Sequence, residues 1–517
     1  MNAHGPFPHF SGDNEMKAAD AGQTKSSKPT GAISGGFWTV VERITAQTGQ
    51  LIVFIAAARI LGPADFGTFA LVSAVAILML RVSEFGWAQY IMSWDGDDTR
   101  PRQVLFVAIL TGVAAAVVGL AATFILYLLG AGHSVLWLLA LFSMWLIPAT
   151  TSSTQKGIMI WQDRLKSSAA AETLGEIAGM VAALISLFSG FGVLALVFGR
   201  LTFQSVHLVV SFWTTRMAPA SGLKGADLRA LLSFSWSLFL TRMVVNFRIY
   251  MATFLIGGFL GPAAVGYYRA AERLVGAVAE VVAVPSEVLA WSLFRRSRDT
   301  NGGLQGFHAQ AQVFFKVLFA LSVPVFIWVA VMGPELVATI LGPEWLPAVP
   351  VVAILALARV IMLPGHATEA ILSLAGQIRR LVPFSLIYLV IGLGLTFIGA
   401  QLGLRAVAVS QVLVSVVAAV VTVWLQTRYG QIRWTQVAKG CASLAGPAIG
   451  GLAALIAAKS LAKTLTDNDL ASVAIATVFS VGVYLVLLLV THRELRAAVR
   501  EFRPKQRGTG RRGGPVG

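Results

Sequence analysis

The 517-residue sequence predicts an all-α polytopic membrane protein of about fourteen transmembrane helices, set in two pseudo-symmetric lobes around a central cavity. Three observations predict it. Charged residues make up 12% of the chain and hydrophobic ones 56%. An average soluble domain carries about 25% charged residues, so this chain cannot clothe a water-facing surface. Apolar stretches of the roughly 20 residues that a spanning helix needs recur from end to end. A Gly-Pro turn motif also stands at corresponding places in the two halves.

Taken in order, residues 1–35 are polar and rich in Gly, Ser and Pro. They lack the apolar core and cleavage site of a signal peptide and read as a disordered cytoplasmic tail, within which Met16 is a second candidate start. An N-lobe over 36–216 holds spans centred near residues 50, 78, 117, 145, 178 and 204. A basic cytoplasmic connector, 217–230, carries Lys224 and Arg229. A C-lobe over 231–425 holds spans near 246, 279, 321, 359, 390 and 416, and two appended spans near 450 and 481 occupy 426–491. Residues 492–517 form a basic cytoplasmic tail.

Orientation follows from the loops. Arg100 and Arg102, Lys156, Arg164 and Lys166, Arg295 to Arg298, and Arg379 with Arg380 share one side with both tails, while Arg405, Lys459 and Lys463 fall on the other. The positive-inside rule therefore places both termini in the cytoplasm. The net charge of +16 is accounted for by topology. It calls for no nucleic acid, and the arginine-rich end at most touches anionic membrane lipid. The single Cys441 excludes a disulfide scaffold.

The repeated turn reads Leu61-Gly62-Pro63-Ala64-Asp65-Phe66-Gly67 after the first span and Leu260-Gly261-Pro262-Ala263-Ala264-Val265-Gly266 after the seventh. Both follow odd-numbered spans, so the second half repeats the first in the same orientation, a transporter architecture. The stretches "ARILGPADFGTFALVSA", "FLGPAAVGYYRAAERL" and "ILGPEWLPAVPVVAILAL" resemble the three landmarks of the polysaccharide-transporter branch of the multidrug/oligosaccharidyl-lipid/polysaccharide (MOP) superfamily, which includes the Wzx-type flippases. The resemblance covers about residues 36–430. It implies a two-lobed flippase that moves polyprenyl-pyrophosphate-linked oligosaccharide from the inner to the outer leaflet for exopolysaccharide or lipopolysaccharide assembly, with a polysaccharide polymerase and export machinery as further partners. Relatives carry an acid one step after the asparagine of the seventh span, where this chain reads Asn246-Phe247-Arg248, so an ion-coupling role for that acid does not carry over.

Eighteen charges remain inside the proposed spans, from Glu42 and Arg43 to Arg359 and Glu369. At roughly 3 kcal/mol each on insertion scales, on the order of 50 kcal/mol would be lost if all faced lipid. Most must therefore face a watery interior or an interface. Their spacing agrees, because positions three, four and seven apart share a helix face. Arg43, Gln47 and Gln50 form one stripe, Arg200, Gln204 and His207 a second, and Arg242, Asn246 and Tyr250 a third. Arg269, Arg273, Glu280 and Glu287 run along the eighth span with Glu272 beside them, and Arg359, His366 and Glu369 along the tenth, where Pro364 would bend it. Arg43, Arg242 and Arg248 lack an acidic neighbour on their own face and are candidates for phosphate, together with Arg273 and Arg359, since the guanidinium fork fits phosphate oxygens. Gln47, Gln50, Gln204, His207, Asn246 and Tyr250 are candidate polar lining. Glu172, Glu176 and Glu280 are candidates for ion coupling, with Glu172 and Glu176 alternatively paired to Arg200. Internal pairs Arg81 with Glu84, Arg269 with Glu272, and Arg273 with Glu280 are the competing reading of the other charges. Tyr267 and Tyr268 read as interfacial anchors, with sugar stacking as the alternative.

The sequence has no Walker A loop and no Gly-Lys dipeptide, so it carries no ATPase motif. Its histidines are scattered, and no cofactor or metal is expected. Asp95-Gly96-Asp97 matches a metal and nucleotide pattern of sugar transferases but sits in a short loop with no domain around it. Not an enzyme but a transporter is the reading, with a multidrug exporter of the same superfamily as its rival and a membrane polymerase or glycosyltransferase as the second.

Overall fold

A computed structural model describes residues 30–300, 304–465 and 469–492; the expected N-terminal tail before residue 30 and the C-terminal tail after 492 lie outside the described residues. The first group of helices is α1 (Thr30–Ile60), α2 (Pro63–Glu84), the short α3 (Trp87–Met92), α4 (Thr99–Leu128), α5 (His133–Trp161), α6 (Leu165–Phe188) and α7 (Leu194–Thr215). The second is α8 (Gly225–Leu260), α9 (Pro262–Thr300), α10 (Phe307–Val331), α11 (Gly333–Ile340), α12 (Val349–Ile361), α13 (Thr368–Leu374), α14 (Leu381–Leu402) and α15 (Leu404–Gly430). They are followed by α16 (Trp434–Ala442), α17 (Ala445–Leu465) and α18 (Asp469–Thr491). No strand occurs among the described residues. α1 begins at Thr30, inside the stretch expected to be tail.

Among the described residues 13 helical segments are long and apolar enough to cross a membrane. α1 is not one of them, because Arg43, Gln47, Gln50 and Arg59 interrupt its apolar residues. It nevertheless packs along α6 as a span would, which brings the structure into line with the fourteen spans expected. Proline and glycine set the breaks. Pro63 and Pro262 begin α2 and α9, where a missing N–H costs nothing and φ is already helical. Phe85 and Gly86 both adopt left-handed φ and divide the second span into α2 and α3. The tenth span is the most broken, with 3-10 turns at Pro343–Ala348 and Leu363–Ala367 on either side of α12; Pro364 lies in the second of them, at the bend the sequence predicts.

Each group packs around its own core. Val72, Leu138, Phe142 and Leu146 join α2 to α5 in the first, while Phe294, Phe307, Phe315 and Val351 join α9, α10 and α12 in the second. α17 and α18 pair with each other and lean on α10. The two groups meet chiefly along α2 and α9, and there the repeated turn motifs touch one another. A Cβ on Gly67 would overlap the carbonyl oxygen of Pro262, and a Cβ on Gly266 would overlap that of Pro63. The contact is reciprocal, as a two-fold relation between halves requires. Beside it the third landmark supplies Trp345, 1% exposed, whose indole N–H donates to Ala58 O at 2.9 Å and whose ring lies edge-on to Phe66 and Tyr267. Tyr267 thus packs in this junction, and Tyr268 is 4% exposed within the second group; the interfacial-anchor expectation for both is corrected, since the first turns of α9, which carry them, pack against protein. We refer to this end of the bundle as the turn end.

At the opposite, basic end the groups touch through α3, α4 and α8. Phe85 stacks on Phe239 at 4.6 Å, and Arg100 pairs with Asp227 at 2.9 Å. The connector is held there too, with Arg102 Nε donating to Ala218 O at 3.1 Å.

Candidate substrate cavity

Between the two contacts lies a cavity of about 730 Å³, walled by α1, α2, α6 and α7 of the first group and by α8, α9 and α12 of the second. Small residues make room for it and bring its walls together. Gly179 on α6 and Gly199 on α7 each approach the other helix so closely that a Cβ would press on backbone or on a neighbouring Cβ, the close crossing that small residues permit in membranes. The lining is apolar at Phe54, Phe66, Phe69 and Phe203. Its polar part holds Gln50, Glu176, Arg200, Tyr250, Arg269, Glu272, Arg273, Glu280 and Arg359.

These groups are not equivalent. Arg269 is committed, since it pairs with Glu272 at 2.6 Å and donates to the Thr253 hydroxyl. Arg273 donates to Gln50 Oε1 at 3.4 Å, and Gln50 Nε2 donates to Glu176 Oε1 at 3.1 Å. The Gln50 amide therefore links α9 of one group to α6 of the other across the cavity. Among the described residues, neither Arg200 nor Arg359 has an ion pair within 4.0 Å, and both are exposed to the cavity they line.

Six of the residues singled out from the sequence meet here: Gln50, Tyr250, Arg273, Arg359, Glu176 and Glu280. Arg43, Gln47, Arg242, Asn246, Gln204, His207 and Glu172 do not line the cavity. The Arg248 side chain lies outside the described residues, though its backbone continues α8. In each stripe the residues left out stand nearer the basic end of their helix. Asn246 turns back on its own helix, its amide donating to Arg242 O at 2.8 Å. Gln204 donates to Ser152 within the first group.

Glu172 belongs to a separate cluster. Lys156, which the sequence assigns to a cytoplasmic loop, is carried by α5 and reaches inward to Glu172 at 2.5 Å and Glu42 at 3.5 Å. The buried His207 has Nε2 at 3.9 Å from the same Glu172. Lysine, not the expected Arg200, is thus the partner of Glu172. The other expected pairs, Arg81 with Glu84 at 2.5 Å and Arg269 with Glu272, are present, while Arg273 and Glu280 share the cavity without an ion pair. Removing the ammonium in Lys156→Met leaves two carboxylates facing each other and should cost about 3 kcal/mol. The expected result is a lower melting temperature of the purified protein in detergent, largely recovered by adding Glu172→Gln; an unchanged melting point would show that the cluster contributes no stability.

A second cavity of about 420 Å³ adjoins the first and shares Glu272 and Arg359 with it. It lies inside the second group, between α9, α12, α14 and α15. No cluster of three or more metal-ligating side chains occurs among the described residues.

Comparison with known proteins agrees with this architecture. The family described as polysaccharide biosynthesis protein matches residues 56–350. A succinoglycan biosynthesis transport protein, ExoT of Rhizobium meliloti (strain 1021), is 22% identical over 465 residues, which is 89% of this chain and 92% of that one. Among solved structures, the lipid II flippase MurJ in an inward closed conformation superposes with a TM-score of 0.67 at 13% identity, over 90% of this chain and 100% of its own. An inward-facing multidrug resistance transporter of the MATE family, MOP superfamily, gives a TM-score of 0.57 at 18% identity, over 75% of this chain and 96% of its own. The structural likenesses establish the fold.

Proposed function

The chain belongs to the polysaccharide biosynthesis protein family, and from that premise we propose that it is a flippase. Its cargo is a polyprenyl (undecaprenyl) pyrophosphate-linked oligosaccharide, carried from the cytoplasmic to the outer leaflet of a bacterial inner membrane. The observation that carries this reading is the cavity itself, which crosses both halves and presents Arg200, Arg273 and Arg359 with no carboxylate within 4.0 Å among the described residues. Guanidinium groups so placed match the oxygens of a pyrophosphate, to which arginine binds in a fork. A succinoglycan transport protein among the relatives supports a glycan cargo.

In this reading the basic end faces the cytoplasm and the turn end faces outward. Residues 36–216 and 231–425 rock as two bodies about the cavity, so that the contact at Gly67 and Gly266 and the contact at Phe85 and Phe239 open in alternation. Arg200, Arg273 and Arg359 replace headgroup water around the pyrophosphate, which lowers the barrier to crossing, while the polyprenyl tail stays in lipid. Moving two negative charges outward under an inside-negative potential gains about 4.6 kcal/mol per 100 mV, enough to bias export without a bound nucleotide. The outer leaflet then holds the substrate of a polysaccharide polymerase.

The test is the leaflet position of the native lipid-linked oligosaccharide in cells depleted of the protein, read in sealed inverted vesicles with an impermeant glycan-modifying reagent. Accumulation on the cytoplasmic leaflet, reversed on re-expression, is the expected result. An unchanged distribution with increased sensitivity to cationic drugs would assign the chain to small-molecule export instead.

A further inference from the structure

The second cavity lies apart from the pyrophosphate-facing arginines except at Arg359. It runs along α9 from Tyr268 to Glu287, a distance of about 28 Å at 1.5 Å per residue. Its walls are unlike those of the central cavity. Among the described residues Arg359 is its only guanidinium, and it stands at the shared boundary; further along, Glu287 faces His366 with Oε1 at 3.7 Å from Nδ1. Between them Tyr388, Gln411 and Ser415 present neutral hydroxyl and amide groups. Gln411 Nε2 donates to the Thr396 hydroxyl at 3.1 Å, which leaves its carbonyl oxygen and its second N–H for another partner.

This mixture suits a particular chemistry. A bare ion would be held by converging charges in a small space, whereas about 420 Å³ falls within the roughly 300–1,000 Å³ of pockets for small organic ligands. An apolar lipid tail would leave the remaining hydrogen-bonding capacity of Gln411 unused and would desolvate the partly exposed Glu287, at a cost for each polar group. Sugars present hydroxyls that both donate and accept, and ring faces that lie against aromatic side chains. We propose that the second cavity receives the sugars of the lipid-linked oligosaccharide while the central cavity holds its pyrophosphate, Arg359 and Glu272 marking the junction between the two parts.

The inference rests on the flippase reading and deepens it. It divides recognition in two: the arginines select a pyrophosphate regardless of the glycan, and the α9–α15 cavity measures the glycan's length and hydroxyl pattern. A carrier built this way would discriminate against unfinished intermediates that lack the outer sugars.

Two probes separate these functions: undecaprenyl pyrophosphate, which has no sugar, and the complete lipid-linked repeat unit extracted from depleted cells. Binding of each to the purified full-length protein is measured for the wild type, for Gln411→Ala, which removes a hydrogen-bonding group, and for Ser415→Phe, which fills the cavity. Both variants should bind the sugarless probe as the wild type does, which also shows that they are folded, and bind the repeat unit about tenfold more weakly. Equal affinity of wild type and variants for the repeat unit would overturn the proposal, as would equal losses for both probes. A wild type that binds neither probe would instead remove the flippase reading beneath it.

Discussion

Gly67→Ala is expected to abolish polymer export, and Gly266→Ala to do the same. At both positions the added methyl overlaps a proline carbonyl of the other half, and backbone on both sides leaves no rotamer that could move aside. Forcing atoms into packed surroundings costs roughly 1–3 kcal/mol in ordinary cores; here the strain is relieved by parting α2 from α9 at the turn end. The variants should therefore rest open to the outside. An impermeant thiol reagent applied from outside should label a cysteine placed at Ser73, on the cavity wall of α2, in a Gly67→Ala background and not in the parent. Equal labelling with normal export would show that the glycine contact is incidental to the cycle.

The second large effect is expected from the arginines. Hydrogen bonds to charged groups contribute about 1.5–3 kcal/mol each, so loss of one guanidinium should weaken pyrophosphate binding by about ten- to a hundredfold. Charge reversal adds repulsion. Arg273→Glu and Arg359→Glu should each eliminate export at unchanged protein level, whereas Arg242→Glu, outside the cavity, should be much milder. Export would be measured as polymer released by cells that carry each variant in place of the native protein. Equal defects in all three would mean that the arginines act through folding or insertion rather than by touching cargo.

Arg242 marks where the sequence is legible and where it is not. Apolar run length and loop charge identify the spans because the bilayer imposes a length that soluble folds do not. Run length marks even the first span, whose Arg43, Gln47, Gln50 and Arg59 take it below the apolarity of the others. Each stripe also has a member on the cavity wall. Depth is what they lack. Arg43, Gln47 and Gln50 share a face, as do Arg242, Asn246 and Tyr250, yet only Gln50 and Tyr250 reach the cavity, because on α1 and α8 it occupies the half toward the turn end. The same holds for Arg200 against Gln204 and His207, and for Glu176 against Glu172. Where a cavity stops along a helix depends on how two lobes lean together, a long-range property that spacing within one helix does not encode.

Lys156 escaped for a related reason. Position near a span's end places it in a loop, whereas α5 extends beyond it to Trp161 and its long stem swings the ammonium inward to Glu42 and Glu172. The repeated glycines were visible as a motif, but their meeting required both copies in space.

The Gln50 amide has a kinetic consequence. Arg273 is tied through it to Glu176, and an arriving phosphate competes for the same guanidinium. On the proposed reading, loading would dissolve a link between the halves that the idle carrier keeps. Because the empty carrier must return before it can load again, breaking that link should make the unloaded return the slower half of the cycle and the loaded passage the faster.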